Sequence, residues 1–130
     1  MTIEKEVFHL YPEIDREYGL STAWKVDDTI YMSGITALNE NGEVVGVDDM
    51  GKQFRRIYTR IRQVLEHFGA TLENIVEQTV FVTDISRVGE GIAVIKELWG
   101  ANEYPPAVGV EVKRLASPEM LVEIKVTARV

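Results

Sequence analysis

The feature that most constrains this chain is an apolar run at helical spacing that leads directly into a buried strand. Phe54, Ile57, Tyr58, Ile61, Leu65 and Phe68 recur at intervals of three and four, which gathers them onto one helix face. The pattern predicts a helix over about Gly51–His67, with Gly69 placed to end it. Ile75–Thr83, rich in Val, Phe and Thr, then reads as a strand. A second helix is predicted over about Val88–Gly100, where Val88, Ile92, Ile95 and Trp99 share a face. Pro105 and Pro106 interrupt the chain, and two strands close it, Ala107–Arg114 and Leu121–Arg129.

Ahead of the first helix, Thr22–Val26 and Thr29–Gly34 flank Asp27-Asp28 at hairpin-loop length. Asn39-Glu40-Asn41-Gly42 is a turn signal, because Asn-Gly tolerates positive φ. A further strand is expected at Glu6–Leu10, and the segment holding Tyr11, Asp15 and Tyr18 is too irregular to assign. The order β-β-β-α-β-α-β-β implies one α+β domain over residues 1–130, with a mixed sheet and both helices packed on one face. In the closing strands Val108, Val110 and Val112 alternate with Gly109, Glu111 and Lys113. Val122, Ile124, Val126 and Ala128 alternate with Glu123, Lys125 and Thr127. The apolar set is expected to meet the helices, and the mixed face is a natural subunit interface.

Composition excludes several chemistries. There is no cysteine, so disulfides, thiolate nucleophiles and zinc–thiolate sites are ruled out, and a reducing, cytoplasmic setting is expected. Met1-Thr2-Ile3-Glu4-Lys5-Glu6 lacks a signal peptide's basic start and apolar run, and no stretch approaches the roughly 20 apolar residues of a membrane span. With 14 Lys and Arg against 21 Asp and Glu, nucleic acid is not expected as the main partner. Arg55, Arg56, Arg60 and Arg62 lie at helical spacing and read as a solvated face. His9 and His67 share no metal-ligand spacing, and no phosphate loop or nucleophile–His pairing is present, so neither metal nor cofactor is expected.

Five phrases, which keep the family's order along the chain, resemble the RidA/YjgF family. Val64-Leu65-Glu66-His67-Phe68-Gly69-Ala70-Thr71-Leu72 is similar to its "VLE-x-x-GA-x-L", and Thr79-Val80-Phe81-Val82-Thr83-Asp84 to its "TV-[FY]-[LV]-x-D". Tyr31-Met32-Ser33-Gly34 resembles "[FY]-V-S-G". Pro106 with Val110-Glu111-Val112 and Arg114-Leu115 resembles "PAR-x-x-VEV-x-x-L", and Leu121-Val122-Glu123-Ile124 the closing "[VI]-EIE". The resemblance runs from about Ser21 to the C-terminus. It implies a chorismate-mutase-like fold and a homotrimer, with clefts for a small-molecule ligand between subunits. It also implies hydrolysis of reactive enamines and imines, such as 2-aminoacrylate, to a 2-oxo acid and ammonia.

That reaction needs a guanidinium to clamp the substrate carboxylate and a carboxylate to position or deprotonate water. Glu123 aligns with the family's acidic residue, and Ser33 and Gly34 with its backbone cradle. The arginine position falls on Ala107, which offers neither donor nor charge. Lys113 and Arg114 lie six and seven positions onward, roughly 20 Å away. The aromatic hydroxyl expected before the second strand falls on Leu20, with Tyr18 two residues off, and the asparagine after "x-D" becomes Ser86. Trp24 is a candidate wall for a cleft opened by Ala107 and Gly109. Three functions stay open: a divergent enamine or imine hydrolase using Glu123, a non-catalytic metabolite-binding protein, and a trimeric interaction scaffold.

Overall fold

The computed structural model describes residues 2–130. Strand β1 (Glu6–Phe8) is followed by helix α1 (Pro12–Tyr18) and the hairpin β2 (Ala23–Val26) and β3 (Thr29–Met32). Next come α2 (Met50–His67), β4 (Ile75–Val82), α3 (Val88–Trp99), β5 (Ala107–Glu111) and β6 (Val122–Arg129). One six-stranded mixed sheet results, in the order β1-β2-β3-β6-β4-β5. Only β4 and β5 run parallel, and α3 with its flanking loops makes that crossover.

Local chemistry sets the ends of α2. Asp49 caps it by accepting from the Lys52 N–H at 3.0 Å. Gly69, at φ +74°, turns the chain so that its own N–H and that of Ala70 reach the Glu66 and Leu65 carbonyls. The predicted apolar stripe is the buried face: Phe54, Ile57, Tyr58, Ile61 and Leu65 are all at most 1 % exposed. They pack with Val80, Val82, Val122, Ile124, Val126 and Ala128 of the sheet. Gly91 of α3 lies against the Phe54 ring, and Gln53, fully buried, ties α2 to two loops. Its amide donates to Gly46 O and Glu119 O and accepts from Leu121 N at 2.8 Å.

Both helices on one sheet face and the element order therefore hold, with three differences. The unassigned segment contains α1, started by Pro12 and ended by Gly19 at φ +70°. The valines of β5 do not meet the helices. Register pairs Ala107 with Gln78, Val108 with Thr79 and Val110 with Phe81. Gln78 is buried under α2, where it accepts from Tyr58 OH, so Val108 and Val110 turn to the open face, 57 % and 36 % exposed. Arg60 is buried, not solvated. It donates to Thr36 O at 2.5 Å and its guanidinium lies 4.8 Å from the centre of the Tyr11 ring. Among the described residues, no helix is long and apolar enough to cross a membrane.

Candidate functional site

The site grows from the face of the sheet that the helices leave open. Alternation along β6 sends Val122, Ile124, Val126 and Ala128 inward and Glu123, Lys125 and Thr127 outward. Glu123 pairs with Phe81, which in turn pairs with Val110, so these three stand on the open face. The same face carries Trp24 of β2 and Tyr31 of β3, which are 38 % and 51 % exposed.

Glu123 and Gly34 are brought into contact. A Cβ built on Gly34 would sit 2.6 Å from Glu123 Oε2, so only glycine leaves room for this carboxylate beside the strand end. Among the described residues Glu123 has no hydrogen-bond or ion-pair partner, and partial burial raises its carboxyl above the ordinary glutamate range. A carboxyl so placed can exchange a proton nearer neutral pH than a solvated one. Ser33 holds the turn: its N–H donates to Thr22 O at 2.9 Å and its hydroxyl to Ser21 O at 2.6 Å. The hydroxyl oxygen keeps accepting capacity for a ligand.

The other predicted residues spread out. Trp24 lines a surface cavity of about 1010 Å³ that also includes Leu20, Ser33 and Lys125. Tyr18 is on the far side of the Gly19 turn and lines a separate groove with Ile14 and Leu38. Ser86 sits in an exposed turn, where its N–H and hydroxyl both donate to Asp84 Oδ1, at 3.0 and 2.6 Å. Ala107 begins the edge strand β5, on the helix side of the sheet, whereas Glu123 is on the open side. Trp24 and Ala107 are four inter-strand steps apart, about 19 Å. A single chain thus assembles Glu123, Gly34 and Ser33; Trp24 shares a cavity lining with Ser33, and Ala107, Ser86 and Tyr18 lie outside that group.

Sequence reasoning passed over one cluster. His9 Nδ1 meets Asp15 Oδ2 at 2.8 Å, and the same oxygen accepts from Thr22 Oγ1 at 2.6 Å. Thr22 Oγ1 accepts from Leu10 N at 2.9 Å. Periodicity cannot reveal a seven-residue helix, but Pro12 and Gly19 were readable as its two ends. Among the described residues, no group of three or more acidic or histidine side chains is placed to hold a metal ion.

Comparison with known proteins agrees with this architecture. A family model described as endoribonuclease L-PSP matches residues 12–130. A RutC family protein of Pyrococcus abyssi is 33 % identical over 109 residues, 83 % of this chain and 84 % of the relative. The 3-aminoacrylate deaminase RutC of Acinetobacter baylyi is 32 % identical over 108 residues, with the same coverage. Among solved structures, a Mycobacterium tuberculosis member of the YjgF/YER057c/UK114 family superposes with a TM-score of 0.84 at 31 % identity, covering 98 % of this chain and 100 % of its own. A Rid family protein of Yersinia pestis gives 0.79 at 32 % identity, covering 85 % and 86 %.

Proposed function

Because the chain belongs to the RidA/YjgF family, that of the endoribonuclease L-PSP model, we propose that it is a homotrimer whose inter-subunit clefts take a small metabolite, and that it hydrolyses an imine or enamine other than 2-aminoacrylate. The observation that carries this reading is Glu123, half-buried, without a partner among the described residues, and seated on Gly34. The relative from Acinetobacter baylyi, a 3-aminoacrylate deaminase, supports the reaction class.

The chemistry follows from one carboxyl group. As the acid, Glu123 donates a proton to the enamine carbon, giving the iminium ion. As the carboxylate, it takes a proton from water while the oxygen bonds to the iminium carbon, giving a carbinolamine. It returns that proton to nitrogen, and as the C–N bond breaks it takes the hydroxyl proton, which releases ammonia and a carbonyl compound and restores the acid. A carboxyl raised by burial serves both directions better than a solvated one.

Ala107 narrows the substrate. Without a guanidinium at this position, a carboxylate-bearing ligand loses a charge-assisted paired contact, worth about 2–5 kcal/mol when desolvated. The same feature favours a second reading, a binding protein without turnover. Both are tested by incubating purified protein with 2-aminoacrylate, 3-aminoacrylate and a panel of other imines, following ammonia release. Clearance of 2-aminoacrylate is expected to stay at the uncatalysed rate. Turnover of any panel member should fall about 10²- to 10⁴-fold in Glu123→Ala, with sedimentation unchanged. Enzyme-like rates on 2-aminoacrylate, or full activity in Glu123→Ala, would overturn the hydrolase reading. Ligand-dependent thermal stabilisation without product would establish the binding protein instead.

A further inference from the structure

Six polar side chains are buried among the described residues, and four of them, Asp15, Thr22, Thr36 and Arg60, serve one short segment, residues 33–36. That segment follows β3 and carries Gly34. We infer that Asp15 and Arg60 are positioning residues: one at each end of the segment, acting through Thr22 and the Thr36 carbonyl, they hold Gly34 against Glu123. The inference deepens the reading that Glu123 does the chemistry of this site, and it gives a role to two side chains that touch no ligand.

Hydrogen bonds run unbroken from each side chain to the segment. Thr22 Oγ1 donates to Asp15 Oδ2 at 2.6 Å and accepts from Leu10 N at 2.9 Å, so the Thr22 side chain is held from two directions. Its carbonyl accepts from Ser33 N at 2.9 Å, and the neighbouring Ser21 carbonyl accepts from the Ser33 hydroxyl at 2.6 Å. At the other end Arg60 Nη1 donates to the Thr36 carbonyl at 2.5 Å. Between them Ile35 and Ile124 exchange backbone bonds of 2.8 and 3.0 Å, which sets the register of Gly34 beside Glu123. Helix α1 braces both ends. Asp15 lies on it, and the ring of Tyr11, its N-cap residue, is centred 4.8 Å from the Arg60 guanidinium.

Asp15 and Arg60 do not serve each other. Burial of an ionisable group is costly, and a buried pair that stabilises a core does so by direct contact. Among the described residues Asp15 meets His9 and Thr22, Arg60 meets Thr36, and Arg60 Nε is buried without a partner. Each group is committed to one end of the segment instead. Precision matters there, because a Cβ on Gly34 would already overlap the Glu123 carboxyl. A misplacement of about 1 Å is enough to cost rate at a site of this kind. All of these contacts lie within one chain, so they do not depend on assembly.

The test is the titration of the Glu123 carboxyl, followed by carbon-13 NMR of the glutamate-labelled full-length chain, beside turnover of the imine panel. Thr22→Val removes the hydroxyl at constant charge. Arg60→Met removes the donor together with a positive charge, whose loss alone would raise the Glu123 midpoint. In both, the loosened segment admits water and the midpoint should fall by about 0.5 pH unit or more. Asp15→Asn and Asp15→Leu carry the same charge, so the midpoint in Asp15→Leu should lie below that in Asp15→Asn, which keeps an acceptor for Thr22. Thr22→Ser, which keeps the hydroxyl, should retain the parent midpoint. In Thr22→Val, Arg60→Met and Asp15→Leu, kcat should fall about 10- to 100-fold with KM within about twofold. Ile75→Ala, which opens the core beside Ala128 at the far end of β6, should lower stability and leave midpoint and kcat unchanged. Thr22→Val, close in shape to the parent residue, carries the test if a variant of Asp15 or Arg60 fails to fold. A midpoint or kcat unmoved in any of the three that folds, or moved equally by Ile75→Ala, overturns the inference. A parent without turnover counts against the hydrolase alone, because the titration needs no substrate.

Discussion

Glu123 is a partly buried carboxyl with no hydrogen-bond or ion-pair partner among the described residues. Its folded-state pKa is raised by that burial, so the neutral form is the one the fold favours. The contribution is fully present below the unfolded carboxyl pKa and is lost as pH rises through the raised value. Glu123→Gln, neutral at every pH, should therefore be more stable than the parent near pH 7. The gap should close as pH falls from about 7 to about 4. Urea denaturation across that range reads it directly, and a gap independent of pH would refute the assignment. Sequence alone identified the residue by its place in a family phrase. The contact that isolates it, with Gly34, joins residues far apart in the chain, and no local pattern encodes that.

At the scale of elements, the closest fit lies between the two long helices. Gly91 of α3 has no room for a Cβ, because the Phe54 ring of α2 occupies that space. Alanine normally improves a helix by about 1 kcal/mol over glycine. Here the buried ring, 1 % exposed, must move, so Gly91→Ala should instead destabilise by about 1–3 kcal/mol. A denaturation midpoint at or above the parent's would show that Phe54 has somewhere to go. The long elements were legible because α2 and β4 each bury a full periodic face. β5 was legible as a strand but not in its facing. Alternation separates Val108 and Val110 from Ala107 and Gly109, yet only the pairing with Gln78 and Thr79 decides which set meets the helices. Helix α1 was missed for a different reason, since seven residues give periodicity too little to repeat.

On the scale of the whole molecule, the sheet is asymmetric: one face is sealed by helices and the other holds Val7, Trp24, Tyr31, Val108 and Val110 in the open. Apolar exposure on both flanks of one sheet face points to association. Sedimentation should give a species of three 14.7 kDa chains. Val108→Asp, which places a charge on the open face outside the core and outside the cavity near Ser33, should shift that species to single folded chains. A monomeric parent would remove the trimer from the proposal.

The placement of position 107 and Glu123 on opposite sides of one sheet has a genetic meaning. In the proposed trimer, any chemistry using the two would be divided between copies. Damage would then behave as a property of clefts rather than of chains. In cells making two defective versions, one lacking Glu123 and one impaired at the β5 start, mixed assemblies would still contain some clefts with neither fault. The two alleles would complement each other, while each alone would fail.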